Sequence, residues 1–398
     1  MRNSKVKVFY AQKQVLTKNI EHSYSKSPLK PMLLMQNFEK LGISKYLDID
    51  GSFAPFNRED FLITHTPEYI DAVLTGNDIH LRSSNGIPWS AELAETVRYT
   101  NASLYNAIRH SIEHPETPCF SPTSGFHHAR PSAGSGFCTF AGQVIASVKL
   151  YRELGKRGAY FDLDGHFGNS IEDCRDYTPD ISIAVPKLFN INPQGRNESY
   201  LQNLLFAFDN AEHAILSGEI DYVVWCHGAD SHNQDDLGGQ VNTFYWVKCA
   251  EEFYKWVKSM DAKLALAGRV PLPVTIALFG GYRHDSYESV ISLHTKDMVL
   301  CLNTLCGQNV SYEAIVVDKY AARKTITAYN KDEKFSRNEK QLLDYMKTLT
   351  SDGYYTGYEL GKLIKGWKNH SMGKWAKMLV EKGYLEGTRK RGYRIKLG

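Results

Sequence analysis

Short apolar runs alternate with longer amphipathic stretches through the first 330 residues, and this alternation limits most strongly what the chain can fold into. Residues 6–10, 158–164, 180–186, 222–230 and 274–281 read as strands. Residues 91–114, 140–155, 200–218, 241–260 and 286–304 carry apolar side chains at helical spacing. Strands that are apolar along their whole length are buried on both faces. Separated by helices of this size, they build βαβ units and a parallel sheet. Thr66, Pro67 and Glu68 open one more helix, with a capping hydroxyl followed by proline at the first helical position. The expected fold class is α/β, a mainly parallel central sheet flanked by helices.

Composition matters where it separates two parts of the chain. The 398 residues correspond to two or three domains at ~150 residues each. With 42% hydrophobic and 23% charged residues, disordered and low-complexity classes are excluded. Seven cysteines without a CxxC pair argue against a disulfide framework or a cysteine-rich zinc site. No apolar run reaches the ~18–20 residues of a membrane span, and no apolar leader precedes residues 6–10. The expectation is a reducing, cytoplasmic compartment and no membrane partner.

The net charge of +3 is a sum of unlike parts. Residues 331–398 hold 16 Lys/Arg against 8 Asp/Glu, which is +8, and residues 1–330 hold 31 against 36, which is −5. Three helical patterns at 338–349, 357–364 and 371–382 precede two strand-like pieces joined by Arg389, Lys390 and Arg391. This texture predicts two domains, 1–330 and 331–398, the second a small winged helix-turn-helix. Lys374 and Lys377, with the three turn residues, would then meet the phosphates of a nucleic acid. A solvated basic surface is the alternative.

In open parallel sheets ligands bind beyond the carboxyl ends of the strands, and here four segments at such positions are unusually polar. Asp162, Asp164 and His166 follow one strand, and Asp230 and His232 follow another. Gly280, Gly281 and Tyr282 follow a third, and a loop upstream carries His127 and His128. Two residues apart on extended chain, Asp164 and His166 point the same way. With Asp230 they form an O,N,O set, and three protein ligands with an open position define a catalytic metal site that suits Zn²⁺. Taken alone, the Asp-x-Asp-x-His segment also reads as a turn with Asp side chains capping amides.

The ordered set His127-His128, Gly136-Phe137-Cys138, Asp162-x-Asp164-x-His166-x-Gly168-Asn169, Asp230-x-His232, Asp236-Leu237-Gly238-Gly239 and Gly280-Gly281-Tyr282 resembles the histone deacetylase superfamily, with its bacterial deacetylases and acetylpolyamine amidohydrolases. His65 to Tyr69 resembles an earlier signature of the family, and the likeness covers about residues 1–310. It implies the arginase/deacetylase fold and zinc-dependent hydrolysis of an acetyl amide on a protein lysine or related amine. The implied metal ligands are Asp164, His166 and Asp230. His127 and His128 would manage protons, with Asp162 and Asn169 as their partners. Tyr282 would bind the carbonyl, Gly136 and Phe137 would wall the acyl channel, and Gly280 with Gly281 would bring the backbone close to the substrate.

Physical chemistry supports the same division of labour. A carboxylate partner raises the pKa of His127 and favours its charged form, whereas the amide partner of His128 leaves a better base. Several residues depart from the family pattern. Gly165 and Phe167 stand beside the metal-binding histidine in place of bulkier or histidine residues. Ala184 takes the place of a serine that helps hold K⁺, so a potassium site is not carried over. Lys30 lies where relatives place an arginine on an internal acetate route, and it reads either as a substitute or as a surface lysine. The ligand set alone admits Fe²⁺ as well as Zn²⁺. An acetylpolyamine or other small-molecule deacetylase, a nucleic-acid-associated regulator and an arginase-like ureohydrolase are the competing readings. The C-terminal domain could also serve gating or homo-oligomer assembly.

Overall fold

The computed structural model describes residues 2–17, 23, 25–318, 342, 376, 379, 385–388 and 392–395. The chain divides into two compact units, Met1–Val317 and Asp318–Gly398. Seven strands of the first unit make one sheet: β1 (Val6–Phe9), β2 (Leu47–Asp50), β3 (Cys119–Ser121), β4 (Gly158–Leu163), β5 (Asn190–Ile191), β6 (Tyr222–His227) and β7 (Val274–Leu278). Their order is β2-β1-β3-β7-β6-β4-β5, and every pairing is parallel. The longer helices are α1 (Lys30–Lys40), α2 (Pro67–Thr75), α3 (Ala91–Glu113), α4 (Gly142–Leu154), α5 (Glu198–Ser217), α6 (Thr243–Leu266) and α7 (Tyr287–Leu305). With helices on both faces of a parallel sheet, the unit has the arginase/deacetylase type of α/β fold.

The alternation of side chains along each strand divides the core in two. Phe161 and Leu163 of β4 and Val223 and Trp225 of β6 share one cluster with Phe38 of α1, Phe208 of α5, Phe253 of α6 and Met298 of α7. Tyr160 of β4 and Tyr222 and Val224 of β6 point the other way, into a cluster with Ile70 of α2, Leu104 of α3 and Val144 of α4. The start of α2 follows the sequence expectation. The Thr66 hydroxyl accepts from the Tyr69 amide, Pro67 occupies the first turn, and Gly76 closes the helix at φ 77°.

Three expected strands run shorter than their apolar patterns. β4, β6 and β7 end at Leu163, His227 and Leu278, and the polar residues beyond them leave the ladder to form the site described below. Residues 180–186 are not a strand but contain the short helix Ile181–Ala184. Ile181 and Ala184 are buried while Ser182 and Ile183 are exposed, the i,i+3 spacing of one helical turn. β2, β3 and β5 have four, three and two residues, too few for periodicity to reveal them.

In the second unit, Leu385–Thr388 (β8) and Gly392–Ile395 (β9) pair antiparallel, and Leu342, Ala376 and Leu379 are helical and buried. The rest of the expected winged helix, with Lys374, Lys377, Arg389, Lys390 and Arg391, lies outside the described residues. No helix among the described residues is long and apolar enough to cross a membrane.

One buried carboxylate ties three elements together under the sheet. Asp297 of α7 accepts from Trp225 Nε1 (3.1 Å) and Tyr254 OH (2.7 Å), and its Oδ2 lies 3.1 Å from His227 Nδ1. The His227 ring stacks on Trp246 with centroids 3.7 Å apart. Removing an acceptor shared by three buried groups leaves each unpaired. Asp297→Ala is expected to lower unfolding stability by about 3 kcal/mol, read as a shift of the urea midpoint at unchanged m-value.

Candidate functional site

β3, β7, β6 and β4 are neighbours in the sheet, so the segments leaving their carboxyl ends meet at one place. From β4 come Asp162 within the strand and Asp164 and His166 just after it. From β6 comes Asp230, from β7 come Gly280 to Tyr282, and the chain after β3 supplies His127 and His128. Asp164, His166 and Asp230 offer ligand atoms within 4.8 Å of one another, the one such group among the described residues. His166 Nδ1 is 3.1 Å from both Asp164 Oδ1 and Asp230 Oδ2.

Glycines make this convergence of carboxylates sterically feasible. A Cβ on Gly280 would lie 2.2 Å from Asp230 Oδ2, one on Gly228 would lie 2.3 Å from Asp230 Oδ1, and one on Gly238 would lie 1.8 Å from the Asp230 carbonyl oxygen. The backbone also neutralises part of the charge. Gly280 N–H donates to Asp164 Oδ2 at 2.7 Å, and Gly165 N–H donates to Asp230 Oδ1 at 2.9 Å. Burial raises the pKa of Asp230 to about 7, with Asp164 adding to the effect. Asp164 is held well below the carboxylate range despite its burial, because His127 and His166 face it. Two buried carboxylates facing an imidazole fit a divalent cation, which would offset the burial and the repulsion from Asp164 that push Asp230 toward protonation.

The two histidines differ through their partners. His127 Nδ1 is 3.0 Å from Asp162 Oδ2, and its Nε2 is 3.6 Å from Asp164 Oδ1. Burial disfavours its charge, but Asp164, Asp162 and Asp230 outweigh that and lift its pKa to about 9. His128 Nδ1 is 2.7 Å from Asn169 Oδ1, and the Asn169 amide donates to Asp173 at 2.6 Å. Burial and the neighbouring His127 lower the His128 pKa to about 4. The two ring centroids lie 4.0 Å apart, and His128 is 5.9 Å from the His166 ring.

Tyr282 faces the same space, its ring 6.1 Å from His166 and 5.5 Å from Phe137. Burial, with Asp164 and Asp230 nearby, raises its pKa well above 10 and keeps the phenol protonated. Its backbone N–H donates to Asp235 Oδ2 at 2.8 Å. Gly136 packs on His128, where a Cβ would come within 2.5 Å of Cδ2. Phe137 adopts φ 63°, an uncommon conformation for a residue with a side chain. Gly281 lies against Val290, whose Cγ1 would be 2.6 Å from an added Cβ.

Other residues resolve questions the sequence leaves open. Lys30 is completely buried, not on the surface. Its ammonium donates to the Phe279 carbonyl, and burial draws its pKa to about 8 against the opposing pull of Asp230 and Asp164. His65 is a structural histidine: its Nε2 accepts from the Ala141 amide and its Nδ1 is 3.2 Å from the Pro131 carbonyl, so it braces both ends of the 131–141 segment. Gln240 donates to the Gly165 carbonyl at 2.7 Å, and Asn192 accepts from the Gly168 amide at 2.7 Å. No sequence pattern marks these two as braces of the ligand loop.

Residues 25–185 match the histone deacetylase domain. An uncharacterized protein of Picosynechococcus sp. is 24% identical over 250 residues, covering 57% of this chain and 77% of that protein. Histone deacetylase B of Dictyostelium discoideum is 25% identical over 218 residues, 48% of this chain and 46% of that protein. Histone deacetylase 8 of Danio rerio is 23% identical over 165 residues, 39% of this chain and 43% of its own length. The matched stretches thus span less than half the length of these two deacetylases. Domain match, relatives and parallel-sheet architecture agree: residues 25–185 match a histone deacetylase domain, and the chain is similar to histone deacetylases.

Proposed function

We propose that the protein is a metal-dependent deacetylase that hydrolyses the acetyl amide of an amine, on a protein lysine or a related small molecule. The observation that carries this reading is the pair of adjacent histidines, one on a carboxylate and one on an amide, beside an O,N,O cluster whose His166 ring is 5.9 Å from His128 and 6.1 Å from Tyr282. Asp164, His166 and Asp230 would hold the cation, Zn²⁺ by the mixed donor set with Fe²⁺ as the alternative. When bound, such an ion supplies a Lewis acid that polarises the acyl carbonyl and acidifies a water.

The chain's own groups supply the proton traffic. With Nδ1–H directed at Asn169 Oδ1, neutral His128 presents the Nε2 lone pair, which takes a proton from the attacking water and returns it to the leaving amine. His127, held charged by Asp164 and Asp162, stabilises the negative charge that develops beside it. The Tyr282 hydroxyl donates to the oxygen of the tetrahedral centre. Phe137 and Gly136 wall the approach, and the −5 balance of residues 1–330 suits a substrate that bears amines.

Elemental analysis after dialysis should find one divalent ion per chain in the wild type and none in Asp230→Ala; two ions per chain would favour a ureohydrolase. Tyr282→Phe should lower kcat by about 10²–10³-fold with KM little changed, assayed on acetyl-lysine peptides and acetylpolyamines. Unchanged turnover would remove the tyrosine from the mechanism. In the cation-free protein at pH 7, imidazole NMR should show His127 protonated and His128 neutral. Asp162→Asn should lower the His127 pKa, since the carboxylate is one of the groups that favours its charge.

A further inference from the structure

Residues 232–241, between β6 and α6, form a loop that the chemistry above does not use. Backbone bonds close its neck. Asn233 N–H donates to the Val241 carbonyl at 2.7 Å, and Val241 N–H donates to the Ser231 carbonyl at 2.9 Å. The buried His232 ring fastens that neck to α6. Its Nδ1 accepts from the Gln234 amide (3.1 Å), so Nε2 carries the proton and donates to Thr243 Oγ1 (2.9 Å).

Three side chains of this anchored loop reach the segments that leave β4 and β7. Gln240 donates to the Gly165 carbonyl at 2.7 Å. Asp236 Oδ2 accepts from the His284 backbone N–H and lies 2.9 Å from its Nδ1. Asp235, only 8% exposed, accepts from the Tyr282 N–H through Oδ2 (2.8 Å) and from the Leu237 N–H through Oδ1 (3.0 Å).

Two further facts bear on Asp235. Tyr282 follows two glycines, and Gly281 stands at φ 153°, a conformation that favours glycine. Glycine constrains the backbone least, so the course of the chain into Tyr282 depends on the bonds made at 282 and beyond. The other fact is charge. After burial and Asp164, Asp235 is one more influence that raises the pKa of Asp230, so a neutral side chain would perturb the ligand cluster less. Asparagine could take one N–H, but only a carboxylate accepts on both oxygens. Both oxygens are used here.

We propose that Asp235 is a positioning residue for Tyr282: its carboxylate ties the tyrosine backbone to the loop that follows Asp230, and so sets where the phenol sits relative to His166. Its effect on turnover rests on the deacetylase reading above, whereas the tether itself does not.

A double-mutant cycle on the cation-loaded full chain tests the effect on turnover. Asp235→Ala should lower kcat by about 10²-fold, the loss expected when a catalytic group is misplaced by about 1 Å. KM should change little, and the bound cation should be retained. In a Tyr282→Phe background the same substitution should lower kcat by no more than about twofold, because the group it positions is already gone. Asp235→Asn, which keeps one acceptor, should fall between wild type and Asp235→Ala. Losses that multiply across the two positions, or loss of the cation, would show that Asp235 supports the fold or the ligands instead, and would overturn the proposal.

A second measurement needs no turnover. In Asp235→Ala, hydrogen exchange at the Tyr282 amide should quicken by about tenfold or more. The Tyr282 ring signals should shift in the NMR spectrum, while those of Trp225 and Tyr254 in the core stay in place. Unchanged exchange and ring signals would overturn the tether. Should Asp235→Ala not fold, Asp235→Asn carries both measurements. If the wild type hydrolyses no acyl amide, the deacetylase reading fails, and the spectra alone decide whether Asp235 places Tyr282.

Discussion

Two carboxylates, Asp164 and Asp230, are buried against one another, and the rest of the site depends on their repulsion. Charges about 4 Å apart interact by on the order of 4 kcal/mol at an effective dielectric of 20, and each ion also loses hydration. The fold offsets this with the N–H groups of Gly280 and Gly165 and with the His166 imidazole. Small residues at Gly228, Gly238 and Gly280 leave space for the Asp230 backbone and carboxylate. Asp164, His166 and Asp230 together form a group that could hold a metal ion.

The same field divides the histidine pair. Both rings are largely buried, so desolvation lowers both pKa values. The difference comes from oxygen atoms on neighbouring side chains. Asp162 and Asp164 meet His127, while His128 meets a neutral amide. A single carboxylate-to-amide difference between the two partners thus helps separate a charged imidazole from a basic one at neutral pH. The separation is held rigidly, because Asp162 is part of β4 and Asn169 is anchored through Asp173.

Much of this was readable from the residues. The apolar runs at 158–163, 222–227 and 274–278 mark the central strands because both faces of a parallel sheet must be dry. The polar clusters ending them mark the site because ligands gather at those ends. The reading failed where a short apolar run serves two conformations. Residues 181–184 bury an i,i+3 pair in a helical turn, while β3 and β5 are too brief to show a period. Lys30 was ambiguous because no local pattern distinguishes a surface lysine from one drawn inward by carboxylates more than 130 residues away in the chain.

The sequence by itself determined the fold class and singled out the side chains proposed to be chemically active, since periodicity and motif order are local properties that survive without coordinates. Only the tertiary structure decided which of them meet. The order β3-β7-β6-β4 brings together site residues as far apart in the chain as His127 and Tyr282. It also decided which of the two adjacent histidines favours its charged form. Those properties depend on distances between segments and on burial, and neither is written in the spacing of residues along the chain.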